Sequence, residues 1–129
     1  MGAHTARDIG QASITYLLAT VVPLTVFVLM ANLLMFLYAR GVVRAAVDEG
    51  ARAGAVANGS DAECVARASD ALDDLLGGRL GDNISVTCVA TGAEMVAIAN
   101  VTLTSPYLGI TNWSFVAEAR ASDESSLVP

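Results

Sequence analysis

At 129 residues the chain has room for one small domain and a long helix. Its net charge is −6 and it contains no lysine, a balance that repels phosphate and argues against a nucleic-acid partner. Apolar residues make up 54% of it and mean hydropathy is +0.56, an excess concentrated near the N-terminus.

From Gln11 to Ala39 the chain runs 29 residues without a charge. A bilayer core about 30 Å thick needs about 20 apolar helical residues, so this run can span it. A cleaved secretory signal is a poor match. The run exceeds an h-region of about 7–15 residues, no A-x-A-like site precedes Arg40, and Arg7 is offset by Asp8. The reading is a retained helix, membrane-spanning over about residues 14–38. Orientation is contested by the charges. Arg7 stands alone on one side while Arg40, Arg44 and Arg52 lie on the other, which taken literally puts the head in the cytoplasm.

The helical pattern continues through residues 39–57 and meets a stop at Asn58-Gly59. A helix over 11–57 would be about 70 Å long. Pro23 is its one breaker, expected to free the carbonyl of Ala19 and loosen a turn. Ala46, Gly50 and Gly54 recur every fourth residue, a small-residue stripe that lets another helix or the head's sheet approach closely. Two glycines on one stripe suggest a packing need, with glycine-rich codon usage as the alternative.

Residues 58–122 form the head. Ser60, with Glu63 three positions later, reads as a capping box opening a second helix to about Leu76, where Gly77-Gly78 ends it. Its apolar stripe is Cys64, Val65, Ala68, Leu72, Leu75 and Leu76. Asp70, Asp73 and Asp74 lack a coordinating loop and read as a solvated face, not a metal site. Three alternating runs follow. Ile84, Val86 and Cys88 share a face; Thr91-Gly92-Ala93 makes a hairpin turn; Met95, Ala97, Ala99, Val101 and Leu103 share the next face. The segment SPYLGITN is a loop, Phe115, Ala117 and Ala119 alternate inward on the third run, and residues 123–129 read as a frayed tail. The fold class is therefore α+β: a long N-terminal transmembrane helix, a second helix and a roughly three-stranded antiparallel sheet with one apolar face to cover.

Catalytic chemistry is not visible. His4, the only histidine, precedes the apolar run, so no Ser-His-Asp or Cys-His set can be built in the head. No metal-ligand spacing or phosphate-binding loop appears, and no cofactor is expected. Four of the five asparagines, Asn58, Asn83, Asn100 and Asn112, stand in N-x-[ST] form; turn and edge-strand chemistry is the preferred reading over glycosylation, since nothing points to a eukaryotic secretory route. Cys64 and Cys88 read either as a disulfide of an oxidising compartment or as two buried thiols.

The stretch RDIGQASITYLLATVVPL resembles the start of type IV pilin-like proteins, with Gly10, Gln11, Ala12, Ser13, Ile14 and Tyr16 fitting the pattern. YARGVVRAAVDEGARAGAV is similar to a segment of TadE-like pseudopilins, matching at Tyr38, Ala39, Arg40, Ala45, Ala46, Gly50, Ala51, Arg52 and Ala53. The resemblance covers residues 7–57 well and the rest loosely. It implies a non-enzymatic minor subunit of a tight-adherence (Flp-type) pilus. Residues 1–10 would be a leader cut by a prepilin peptidase between Gly10 and Gln11. The head would be extracytoplasmic, which favours a Cys64–Cys88 disulfide. Partners would be the membrane, the peptidase, other pilin-like subunits along the N-terminal helix, where the 46/50/54 stripe would pack, and the assembly platform. One position departs: the family's glutamate five residues after the cut is Thr15 here, beside Tyr16, so the chain cannot offer a carboxylate to a neighbour's N-terminal amine. The alternative is an uncleaved single-pass anchor carrying an adhesin, a sensor or another binding subunit.

Overall fold

The computed structural model describes residues 5–56, 59–77, 82–104 and 112–122, with side chains from residue 13 onward and without that of Thr104. His4, Asn58, the 105–111 segment and the 123–129 tail lie outside them. Five elements follow in order: α1 (Thr5–Ala55), α2 (Asp61–Leu76), β1 (Ile84–Thr91), β2 (Glu94–Thr104) and β3 (Asn112–Ser122). The chain divides into two compact units, Met1–Met35 and Phe36–Pro129.

The first unit holds the N-terminal part of α1. The helix begins at Thr5, six residues before the expected start at Gln11. Nothing local stops it there. Ala6, Arg7, Asp8 and Ile9 are all compatible with a helix, and one glycine at position 10 costs only about 1 kcal/mol relative to alanine. α1 is assigned without interruption through Pro23. It is the one described helix long and apolar enough to cross a membrane, with a mean hydropathy of 2.3 over its most apolar stretch. Most of its apolar side chains from Ile14 through Leu34 are exposed, with Val28 and Ala31 partly covered. Thr20 and Thr25 donate their hydroxyls to the carbonyls of Tyr16 and Val21 at 3.1 and 2.8 Å, and the Asn32 amide donates to Val28 at 2.8 Å. Polar side chains satisfied on their own helix are tolerable in a lipid core, where no water can serve them.

The second unit is the head. Its sheet has the order β1-β2-β3, all antiparallel. The register aligns Ile84, Val101 and Phe115 in one row, then Val86, Ala99 and Ala117, then Cys88, Ala97 and Ala119. These rows form the face expected from the alternation. The β1–β2 turn is a two-residue hairpin, Gly92-Ala93, with Gly92 at φ 63°, where a hairpin of this type requires glycine. The distal part of α1 covers that face: Ala39, Val43, Ala46, Val47, Ala51 and Ala55 are buried in one cluster with Met95, Ala97, Ala99, Val101 and Leu103. Valines on the helix and alanines on the sheet alternate large with small, as close packing requires.

α2 opens as expected at Ser60, whose Oγ accepts the backbone N–H of Glu63 at 3.2 Å. Its buried line is Cys64, Ala68 and Leu72, with Val65 and Leu76 partly covered. Leu75, placed in the stripe by periodicity, is instead 51% exposed. The covered line is narrow because it consists of i, i+4, i+8 positions, and Leu75 lies off it. α1 ends at Ala55, two residues before the expected Ala57. Gly59 donates its N–H to the Val56 carbonyl at 2.7 Å, and a side chain there would run into the carbonyls of Ala53 and Gly54.

Candidate functional site: the rooted helix and its docked head

The residues singled out from sequence fall into three places. Gly10 and Gln11 lie inside the helical backbone of α1, with no break between them. Thr15 and Tyr16 follow on the same helix, both exposed.

Ala46, Gly50 and Gly54 are buried within the head, against the chain's own elements. A Cβ added at Gly50 would sit 2.8 Å from both Ala68 Cβ and the Cys64 carbonyl oxygen. One added at Gly54 would sit 2.8 Å from Cys64 Cβ and 3.0 Å from Met95. The stripe is the seat of α2 and of the hairpin end of β2. Both a second helix and the head's sheet approach the stripe closely, the contact that its spacing implied.

Cys64 and Cys88 are disulfide-bonded, with Cα atoms 6.2 Å apart, inside the usual span for such bonds. Both are buried, Cys64 completely. The bond fastens α2 to β1 across a sequence separation of 24. Two further contacts hold α2 on α1. Arg67 donates to Glu49 Oε1 through Nε at 2.9 Å and through its terminal nitrogen at 2.6 Å. Tyr38 donates its hydroxyl to the Leu75 carbonyl at 3.5 Å. The ion pair is half-exposed and contributes about 0–1 kcal/mol, so the disulfide and the small-residue contact hold α2 in place.

The aromatic side chains described in the head gather at one end. Phe36 meets Trp113 edge-on, with ring centroids 4.2 Å apart, and Phe115 at 5.7 Å. Sequence reading missed this cluster, because Phe36 was counted in the apolar run and Trp113 is 77 positions away. A second feature is a shallow groove of about 580 Å³ lined by Gly41, Arg44, Ala45, Asp48, Glu118, Ala119 and Arg120. Arg120 is raised above its ordinary pKa by its hydrogen bond to Glu118, then by that carboxylate's charge. Asp48 pairs with Arg52 at 3.0 Å, so the groove's acids are occupied by the chain's own arginines. Asp70, Asp73 and Asp74 are exposed, and among the described residues no group of three His, Cys, Asp or Glu is placed to hold a metal ion. Asn83, Asn100 and Asn112 are exposed as well. No family model, no curated protein and no solved structure matches this chain.

Proposed function

We propose that this chain is a non-enzymatic, membrane-anchored pseudopilin-like subunit of the TadE type, acting at the tip of a tight-adherence pilus or in its initiation. One observation carries the reading. A single helix, α1, contains the uncharged run beginning directly after Gly10 and also supplies the buried spine of a small disulfide-bonded α+β head. A disulfide is kept in oxidising compartments, which supports an extracytoplasmic head over the cytoplasmic one that the arginine count suggests. The stripe at 46, 50 and 54 is used within the head, so neighbouring subunits would meet this one along the exposed apolar positions of residues 14–38. The test is the N-terminus of protein taken from native membranes of cells with an active prepilin peptidase. Intact mass should show a chain beginning at Gln11. A chain still beginning at Met1 or Gly2 would refute the pseudopilin reading.

The second reading is an uncleaved single-pass anchor bearing an adhesin or sensor head. It is favoured by the continuity of α1 across Gly10 and Gln11, because a peptide bond inside a helix must unwind before a protease can take it. The same mass measurement separates the two.

A further inference from the structure

We propose that the open edge of β3 is a pairing surface for a second copy of this chain, the two β3 strands running antiparallel about a two-fold axis at Ala119 and joining two three-stranded sheets into one of six. The inference goes beyond the reading above and does not depend on it, because every feature it uses lies within the head.

β3 has one neighbour, β2, and among the described residues no strand lies beyond it. Such an edge presents a row of backbone N–H and C=O groups on which another strand can form. Edges are usually blunted by proline, lysine, a bulge, an inward charge or a short length. β3 has none of these. It is 11 residues long, keeps one unbroken register with β2 from Asn112 to Ser122, and points only Trp113, Phe115, Ala117, Ala119 and Ala121 inward.

The inner layer stops one strand short. Met95, Ala97 and Ala99 on β2 are buried, whereas their β3 partners Ala121, Ala119 and Ala117 are half-buried. Beside them lies the groove of about 580 Å³ with Gly41 and Ala45 on its helix wall. A Cβ at Gly41 would meet nothing within 4 Å, so there is room for the inward side chains of an added strand.

The charges select the strand that fits. Around Ala119 the sequence reads Ala117-Glu118-Ala119-Arg120-Ala121, symmetric in alanine and opposite in charge. Antiparallel pairing at Ala119 sets Glu118 of each copy across from Arg120 of the other, and alanine across from alanine. Opposite charges directly across a ladder stabilise it and like charges destabilise it. The helix wall repeats the pattern. α1 runs in the direction of β3, since Phe36 meets Trp113 while Gly54 lies against Met95, the partner of Ala121. Arg44 precedes Asp48 by one turn in the same groove, so the same axis sets each Arg44 toward Asp48 of the second copy. No described carboxylate of its own chain lies within ion-pair distance of Arg44. A surface that is its own complement is what an isologous two-fold contact requires. Glu118–Arg120 and Asp48–Arg52 are exposed pairs, so they exchange partners across the axis at little cost, and the charges set register more than strength. The other edge, β1, is 8 residues long and carries no charge to set a register. The axis turns the Phe36 ends of the two heads away from each other, so the pair forms between heads that meet from opposite directions.

The test uses the full chain in detergent, where copies are free to turn. A nitroxide is attached at Ser122→Cys or at Ser114→Cys, both exposed on the outer face of β3, while the bonded Cys64 and Cys88 take no label. Pulsed dipolar spectroscopy reads the distance between labels on different chains. At about 3.4 Å per residue from an axis at Ala119, the Ser122 sites should lie about 20 Å apart and the Ser114 sites about 34 Å apart. Equal distances at the two sites would mean parallel packing and would overturn the proposal. Absence of coupling at both sites would leave the edge to another strand or to none, and would overturn it as well. Glu118→Arg and Arg120→Glu each set like charges across the axis, and each should lower the association constant at least about threefold. Mixed in equal amounts, the two variants place opposite charges across the axis again, and the short distance at Ser122→Cys should return. That rescue also shows that both variants fold. If circular dichroism matches the wild type and the mixture pairs no better than either variant alone, the two-fold at Ala119 is wrong.

Discussion

Two glycines of α1 make the same backbone in opposite surroundings. Gly50 lies under Ala68 and the Cys64 carbonyl, while a Cβ at Gly41 would meet nothing within 4 Å. Helix propensity rewards Gly→Ala at both sites by about 1 kcal/mol. Contact reverses the sign at Gly50, because the nearest atoms include a backbone oxygen that cannot rotate away. Overpacking of this kind costs about 1–3 kcal/mol. Gly41→Ala should therefore raise the midpoint of thermal unfolding and Gly50→Ala should lower it. Equal shifts in the two variants would show that the stripe at 46, 50 and 54 does not seat α2. Gly92 belongs to another class: its φ of 63° makes any side chain there strained whatever the space around it.

At the scale of elements, α2 depends most on long-range ties. Its buried line of Cys64, Ala68 and Leu72 is short and mostly small, and its packing partners are the glycine stripe and β1. A disulfide closing a loop of this size contributes about 2–4 kcal/mol. Cys64→Ala with Cys88→Ala should lower the head's stability by that amount in denaturant unfolding. The loss should appear first as faster amide exchange in residues 61–76, with β2 still protected. Uniform acceleration across the head would show that α2 and the sheet open together. In intact cells the two thiols should resist alkylation until reductant is added, and immediate labelling of both would place the head in a reducing compartment.

For the whole molecule, the question is what Thr15 does to assembly. On the pseudopilin reading, a subunit without a carboxylate at this position cannot neutralise the N-terminal amine of a neighbour in an apolar fibre core. Leaving a buried charge unpaired costs about 3–5 kcal/mol, enough to exclude the subunit from interior positions. Its own amine at Gln11 can still pair with a glutamate from another subunit, so one end of the stack remains open to it. Labelled protein should appear as about one copy per pilus, at one end, and Thr15→Glu should scatter copies along the shaft. Wild-type copies spaced regularly along the fibre would contradict this. Complete absence from sheared pili would point to a membrane-bound assembly factor.

The sequence by itself determined whatever depends on near neighbours. A charge-free run of 29 residues declares a helix long and apolar enough to cross a bilayer, because length and polarity are local properties. Ser60 before Glu63 marks the start of α2, since a cap is made within four residues. Alternation chose the inner face of every strand, and Gly92 placed the hairpin, because the side-chain period of a strand is two. Only the tertiary structure decided which surfaces meet. A small-residue stripe shows that something comes close without naming it, and the glycines proved to hold α2 and Met95. Periodicity put Leu75 inside, but the width of the covered line on α2 is set by what α1 and β1 leave room for, and Leu75 stays out. Two cysteines allow one intramolecular pair, yet their approach to bonding distance depends on α2 lying over β1. Phe36 read as part of a lipid-facing run; β3 folding back beneath α1 gave it Trp113 as a partner.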